Sequence, residues 1–221
     1  MIGVIQFPGS CDERDAVAAV QRVGDGRLVW HEETDLSGLD GIVVPGGFSY
    51  GDYLRAGAIA RFSPAMEAVA RFAAEGGPVL GICNGFQVLC EAGMLPGALL
   101  PNESLRFICR QVGVEVVSAD SAWTRGCEPG QRLSIPVKHT TGRFFAPPEM
   151  LAEIEDAGRV VLRYAEGENP NGSLNDIAGV RNEAGNVVGL MPHPEHAVDP
   201  LTGSADGLRL FESAVRAPAA A

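Results

Sequence analysis

Pro78-Val79-Leu80-Gly81-Ile82-Cys83-Asn84-Gly85-Phe86-Gln87-Val88-Leu89 runs from an apolar segment through G-x-C-x-G into a helical pattern. A strand, a sharp turn and a helix in that order match a nucleophile elbow with sulfur in place of the serine oxygen. Gly81 and Gly85 leave room for the turn, so the Cys83 side chain is expected to stand at the carboxyl end of the strand. A helix starting at Asn84 would point free backbone N–H groups at that sulfur and favour the reactive thiolate. Cys90 falls inside the helical pattern and reads as a structural thiol, while Cys11, Cys109 and Cys127 lack an elbow context. Five cysteines with no C-x-x-C pair fit neither a disulfide framework nor a zinc site, so reduced thiols and no metal are expected.

On either side of the elbow the chain reads as α/β. Short runs rich in Val and Ile, Ile2 to Gln6, Leu28 to Trp30, Ile42 to Val44 and Val79 to Ile82, predict a mostly parallel central sheet buried on both faces and flanked by helices. Residues 12–23, with Asp12 as cap, and residues 64–75, ended by Gly76 and Gly77, carry amphipathic helical stripes. Beyond residue 110 alternating stretches at 113–117, 133–137, 160–164, 177–180 and 187–191 predict a mixed or antiparallel extension of the sheet. Glu183-Ala184-Gly185-Asn186 reads as a hairpin turn, and residues 204–215 as a closing helix. At 221 residues one domain is expected over 1–216, with 217–221 as a disordered tail.

The formal charge of −11, with Lys138 the single lysine, excludes a broad nucleic-acid role. No apolar run reaches the ~20 residues of a membrane-spanning helix, and the start MIGVIQFPGS has the look of a core strand rather than a signal peptide. A soluble, cytoplasmic protein is the expectation, with neither membrane nor nucleic acid as partner.

A thiol that cleaves an amide needs a base to move the proton and a group to orient that base. His193 lies in Gly189-Leu190-Met191-Pro192-His193-Pro194-Glu195, after an apolar strand. Pro194 biases His193 toward extended backbone, where residues two apart face the same side and Glu195 can hold the imidazole. Cys83, His193 and Glu195 are thus the candidate catalytic residues. His196 competes for the role of base, and His31 and His139 lack this context. Gly41-Ile42-Val43-Val44-Pro45-Gly46-Gly47-Phe48 is a buried strand ending in two glycines, and the N–H groups of Gly47 and Asn84 are the expected oxyanion donors.

These pieces, in this order, resemble the class I glutamine amidotransferases, whose members carry a G-x-C-x-G-x-Q elbow and a distal H-P-E. The resemblance spans nearly the whole chain and implies a flavodoxin-like sheet and hydrolysis of L-glutamine to glutamate and ammonia. Phe7-Pro8-Gly9-Ser10, residues 48–60 and Gly81 to Gln87 are similar to one member that serves purine biosynthesis. That likeness implies a large synthetase partner, which uses the ammonia and ATP to convert formylglycinamide ribonucleotide to its amidine, and a small bridging subunit. It also implies that Gly47, Asn84 and Gln87 hold the glutamine. No cofactor is expected in this chain, which has no G-x-x-x-x-G-K-[ST] loop, and ATP and Mg are expected on the synthetase. Family members often carry Asn-Cys-Asp, H-P-E-Arg and Gly-Glu-Gly where this chain reads Ser10-Cys11-Asp12, His196 and Thr140-Thr141-Gly142. A glutaminase of another pathway, an elbow-cysteine hydrolase or redox protein of similar architecture, and a non-catalytic scaffold of this fold are the rival readings.

Overall fold

The computed structural model describes residues 1–215. Its first half alternates strand and helix: β1 (Ile2–Gln6), α1 (Glu13–Gln21), β2 (Gly26–Trp30), β3 (Gly41–Val44), α2 (Pro64–Ala74), β4 (Val79–Ile82) and α3 (Asn84–Glu91). There follow β5 (Ala98–Pro101), β6 (Ile108–Val116), β7 (Arg132–His139), β8 (Thr141–Phe145), α4 (Pro148–Asp156), β9 (Val160–Tyr164), β10 (Ile177–Arg181), β11 (Val187–Leu190) and α5 (Leu208–Val215). The tail expected over 217–221 lies outside the described residues.

Nine strands form one sheet in the order β2-β1-β3-β4-β11-β10-β9-β6-β7, and β5 pairs with β8 in a small second sheet. From β2 to β11 every pairing is parallel. Every residue of β3, β4 and β11 is buried, as apolar strands covered on both faces require. From β11 to β7 every pairing is antiparallel, which is the mixed extension that the alternating stretches predict. The expected turn at 183–186 joins β10 to β11, with Gly185 at φ 76°.

Three local readings change. Asp12 precedes α1, but its side chain makes no capping hydrogen bond; the carboxylate is drawn away to Lys138 and His196. The closing helix begins at Leu208 rather than at residue 204, because the Gly207 N–H is spent on the Ala197 carbonyl at 2.8 Å and the Ser204 hydroxyl caps a turn at Asp206. The pair β5 and β8 and helix α4 were not expected. Phe144 of β8 stacks on Phe86 of α3 with ring centroids 6.2 Å apart, so the small sheet is fastened to the helix that follows the elbow.

Candidate active site

Four parallel strands deliver the site at their carboxyl ends, where open α/β sheets bind ligands. After β1 comes Asp12, after β3 Gly46 and Gly47, after β4 Cys83, and after β11 His193. The edge strand β7 also reaches this end: its Pro136 carbonyl accepts the His193 N–H at 2.8 Å, which brings Lys138 and His139 into the site. A cavity of about 100 Å³ opens between these segments, with Cys83, His193, Gly47 and Gln87 in its wall.

Cys83 has φ 50° and ψ −102°, a backbone conformation that side chains avoid unless the surroundings impose it. The imposing contacts are the Cys83 N–H to the Leu190 carbonyl at 2.8 Å on one side and the first turn of α3 on the other, Gln87 N–H to Cys83 carbonyl at 3.2 Å. Gly85 is needed because a Cβ there would lie 1.9 Å from the Val44 carbonyl oxygen, so any side chain would force α3 off β3. The sulfur is buried, and its S–H reaches the Lys138 carbonyl at 3.8 Å.

His193 is buried, with Nδ1 2.6 Å from Glu195 Oε1. Its Nε2 makes no conventional hydrogen bond among the described residues and faces the Cys83 sulfur. Burial works against the charged imidazole but is outweighed by the Glu195 carboxylate and by Cys83, so its pKa is pushed up to about 10. At neutral pH the ring is a cation beside the sulfur. The sequence placed Glu195 beside His193 by an extended segment; the contact exists, but Pro194–His196 is a 3₁₀ turn, closed by the His196 N–H to the His193 carbonyl at 3.1 Å. Pro194, with its fixed φ, starts that turn.

A second carboxylate, missed in the sequence, also faces the imidazole. Asp12 Oδ2 lies 3.6 Å from His193 Nδ1, and Oδ1 holds Lys138 Nζ at 2.5 Å and His196 Nε2 at 3.3 Å. Burial opposes its charge, yet the hydrogen bond from His196, the nearby His193 charge and the Lys138 ion pair together hold its pKa well below the carboxylate range. The first glycine of Pro45-Gly46-Gly47 makes this approach possible, since a Cβ on Gly46 would sit 2.4 Å from Asp12 Oδ2 and 2.8 Å from His193 Cε1. Asp12, His193, Glu195 and His196 offer donor atoms within 4.8 Å of one another. That donor set does not suit a metal, because Lys138 already neutralises Asp12 and a protonated His193 cannot ligate.

Gly47 has φ 140° and is bridged to Ser10, but the bridge hydrogen bonds come from the flanking amides, Cys11 to the Gly46 carbonyl and Phe48 to the Gly9 carbonyl. The Asn84 side chain is fully engaged. Its Oδ1 accepts from the Ser49 N–H and hydroxyl at 3.0 and 2.6 Å, and its Nδ2 donates to Asp52 and Gln87 at 3.0 and 2.8 Å. Gln87 lines the cavity and donates to the Thr141 carbonyl at 2.5 Å, so the Thr140-Thr141-Gly142 turn forms one wall. His31 lies apart, bonded to the Tyr50 hydroxyl, and His139 is buried and bonded to Asn102. Cys11 lines the cavity mouth and, like Cys109, is exposed; Cys90 sits on α3, where burial drives its pKa far upward.

A CobB/CobQ-like glutamine amidotransferase domain model matches residues 1–216. The phosphoribosylformylglycinamidine synthase subunit PurQ of Rubrobacter xylanophilus is 60% identical over 213 residues, covering 96% of each chain. The same subunit of Frankia casuarinae is 58% identical over 214 residues, covering 96% of this chain and 91% of the relative. Among solved structures, PurLQS from Thermotoga maritima contains a chain that superposes with a TM-score of 0.89 at 42% identity, over 97% of this chain and 96% of that one.

Proposed function

The chain belongs to the CobB/CobQ-like glutamine amidotransferase family, and on that premise we propose that it is the glutaminase subunit of phosphoribosylformylglycinamidine synthase. It hydrolyses L-glutamine to glutamate and ammonia and passes the ammonia to a large synthetase subunit, with a small bridging subunit in the assembly. ATP and magnesium are bound by the large subunit, where formylglycinamide ribonucleotide becomes its amidine in cytoplasmic purine biosynthesis. The observation that carries this reading is a strained elbow cysteine facing a buried histidine whose far nitrogen is held by a carboxylate.

In the proposed reaction the Cys83 thiolate adds to the side-chain amide carbon of glutamine. The oxyanion is met by backbone N–H groups of Gly47 and Asn84, the latter strengthened by the first turn of α3. Protonated His193 gives its Nε2 proton to the departing nitrogen, the carbon–nitrogen bond breaks, and ammonia leaves a γ-glutamyl thioester on Cys83. Neutral His193 then takes a proton from water, the hydroxide displaces sulfur, and glutamate departs with the thiolate and imidazolium restored. Glu195 holds the ring and balances its charge throughout.

A glutamine-derived chloroketone should label Cys83 stoichiometrically in the reconstituted complex. Peptide mapping that found the label on Cys11, which shares the cavity mouth, would sink the assignment. Cys83→Ala should abolish glutamine-dependent synthesis and spare synthesis from added ammonium salt.

A further inference from the structure

The charges around the cavity are matched, with one exception. Asp12 is neutralised by Lys138 at 2.5 Å, and His193 by Glu195 at 2.6 Å. Among the described residues Asp52, which also lines the cavity, has only neutral partners: the Asn84 amide at 3.0 Å and the Gly57 N–H. Partial burial raises its pKa, so the folded chain carries the desolvation of this carboxylate with no cation to offset it. The backbone is bent to place it there. Tyr50, Gly51, Asp52 and Leu54 all have positive φ, 53°, 72°, 51° and 70°, an arrangement that surroundings must enforce. Asn84, next to the nucleophile, binds the Asp52 carboxylate and Gln87 together through its Nδ2. One side chain thus fixes the Asp52 carboxylate relative to Cys83.

We propose that Asp52 recognises the α-ammonium group of glutamine and makes the site selective for an amide that carries that group. The inference rests on the glutaminase reading. With the carboxamide at Cys83, the cationic end of the substrate supplies the counter-ion that Asp52 lacks. An analogue without the α-ammonium leaves that carboxylate unpaired in a partly dry cavity, and a site built on such a pairing rejects it strongly.

The test compares glutamine with glutaramate, its desamino analogue, in the reconstituted complex with wild type and Asp52→Asn. Wild type is expected to favour glutamine by on the order of 100-fold or more in kcat/KM. Asp52→Asn should shrink that preference by at least about tenfold, mainly through the KM for glutamine. A structural defect would depress both substrates alike and leave the ratio standing, and that result would overturn the proposal. If Asp52→Asn has no measurable turnover, equilibrium binding of the two ligands is compared in complexes carrying Cys83→Ala and Cys83→Ala with Asp52→Asn. There too a preserved preference for glutamine counts against the proposal, and a collapsed one supports it. A wild-type complex that releases no ammonia from glutamine would instead defeat the glutaminase reading.

Discussion

At the scale of single residues the site is a matter of who holds a proton. His193 would sit near its usual value were burial and its neighbours to cancel; burial pulls it down, while Glu195 and Cys83 pull harder the other way, to about 10. An imidazolium that must protonate departing ammonia fails once it is deprotonated, so glutaminase activity is expected to hold through neutral pH and fall as pH approaches 10. Glu195→Gln removes the main group that raises His193, so the alkaline limb of the kcat profile should move to lower pH. An unmoved limb would show that Glu195 does not set the charge of the ring. Loss of the base should be worse: His193→Ala is expected to lower turnover by several orders of magnitude, with the Glu195→Gln defect on the order of 100-fold smaller. Full activity in His193→Ala would transfer the role to His196, which is half-exposed and leans on Asp12.

At the scale of elements, residues 48–62 and α3 act as one piece. Arg55 makes a bidentate pair with Glu91 at the end of α3, both contacts 2.6 Å, and Arg61 donates to the Glu91 carbonyl at 2.6 Å. Ser49 and Asp52 bind Asn84 at the other end of the same helix. Leu54 is 89% exposed, with Tyr53 73% exposed beside it. A synthetase seated on these side chains would act on Cys83 through the helix. Arg55→Ala should therefore lower glutaminase turnover in the complex several-fold while leaving the chain's own thermal midpoint nearly unchanged, since an exposed ion pair contributes little stability. Unchanged turnover and unchanged assembly together would refute the coupling. Sequence periodicity reached the strands of the parallel half because their apolar runs are short and bounded, and the G-x-C-x-G spacing located the elbow. It could not reach β5 and β8, which are short and carry residues that strands disfavour, Pro101 in β5 and Gly142 in β8. Nor could it find Asp12 or Asp52, because each is polar by ordinary standards and becomes informative only through what it faces across the fold. Asp12 in particular carries a local signal, helix capping, which long-range partners override.

At the scale of the whole molecule, two buried histidines with opposite charge states share one end of the sheet. His139, at the end of β7, is held neutral: burial first, and the nearby His193 cation second, push its pKa down to about 4. Its Nδ1 meets Asn102 Oδ1 at 3.0 Å and its Nε2 faces the Asn171 amide at 3.5 Å, so a second ring proton would point at a donor. Asn102 and Asn171 also hold Gly142, by its N–H at 3.1 Å and its carbonyl at 2.8 Å, so the neutral ring anchors the cavity wall at Thr140-Thr141. The sign of the linkage follows from a folded pKa below the unfolded one. As pH falls below 6.5 the unfolded chain takes up a proton that the folded chain refuses until about 4, so stability is lost across that window and the loss levels off below it. The full drop is on the order of 3 kcal/mol. His193 has the reverse sign, contributing stability below 6.5 that is lost as pH climbs toward 10. Carboxylates titrate in the acid window as well, so the informative quantity is the difference between wild type and His139→Gln. Denaturant unfolding at pH 7 should find wild type the more stable, because the variant disturbs the Asn102 and Asn171 contacts. Toward pH 4 the two should converge, as wild type alone loses the histidine contribution. Parallel pH dependences would mean that His139 takes up its proton in the folded wall as readily as in the unfolded chain.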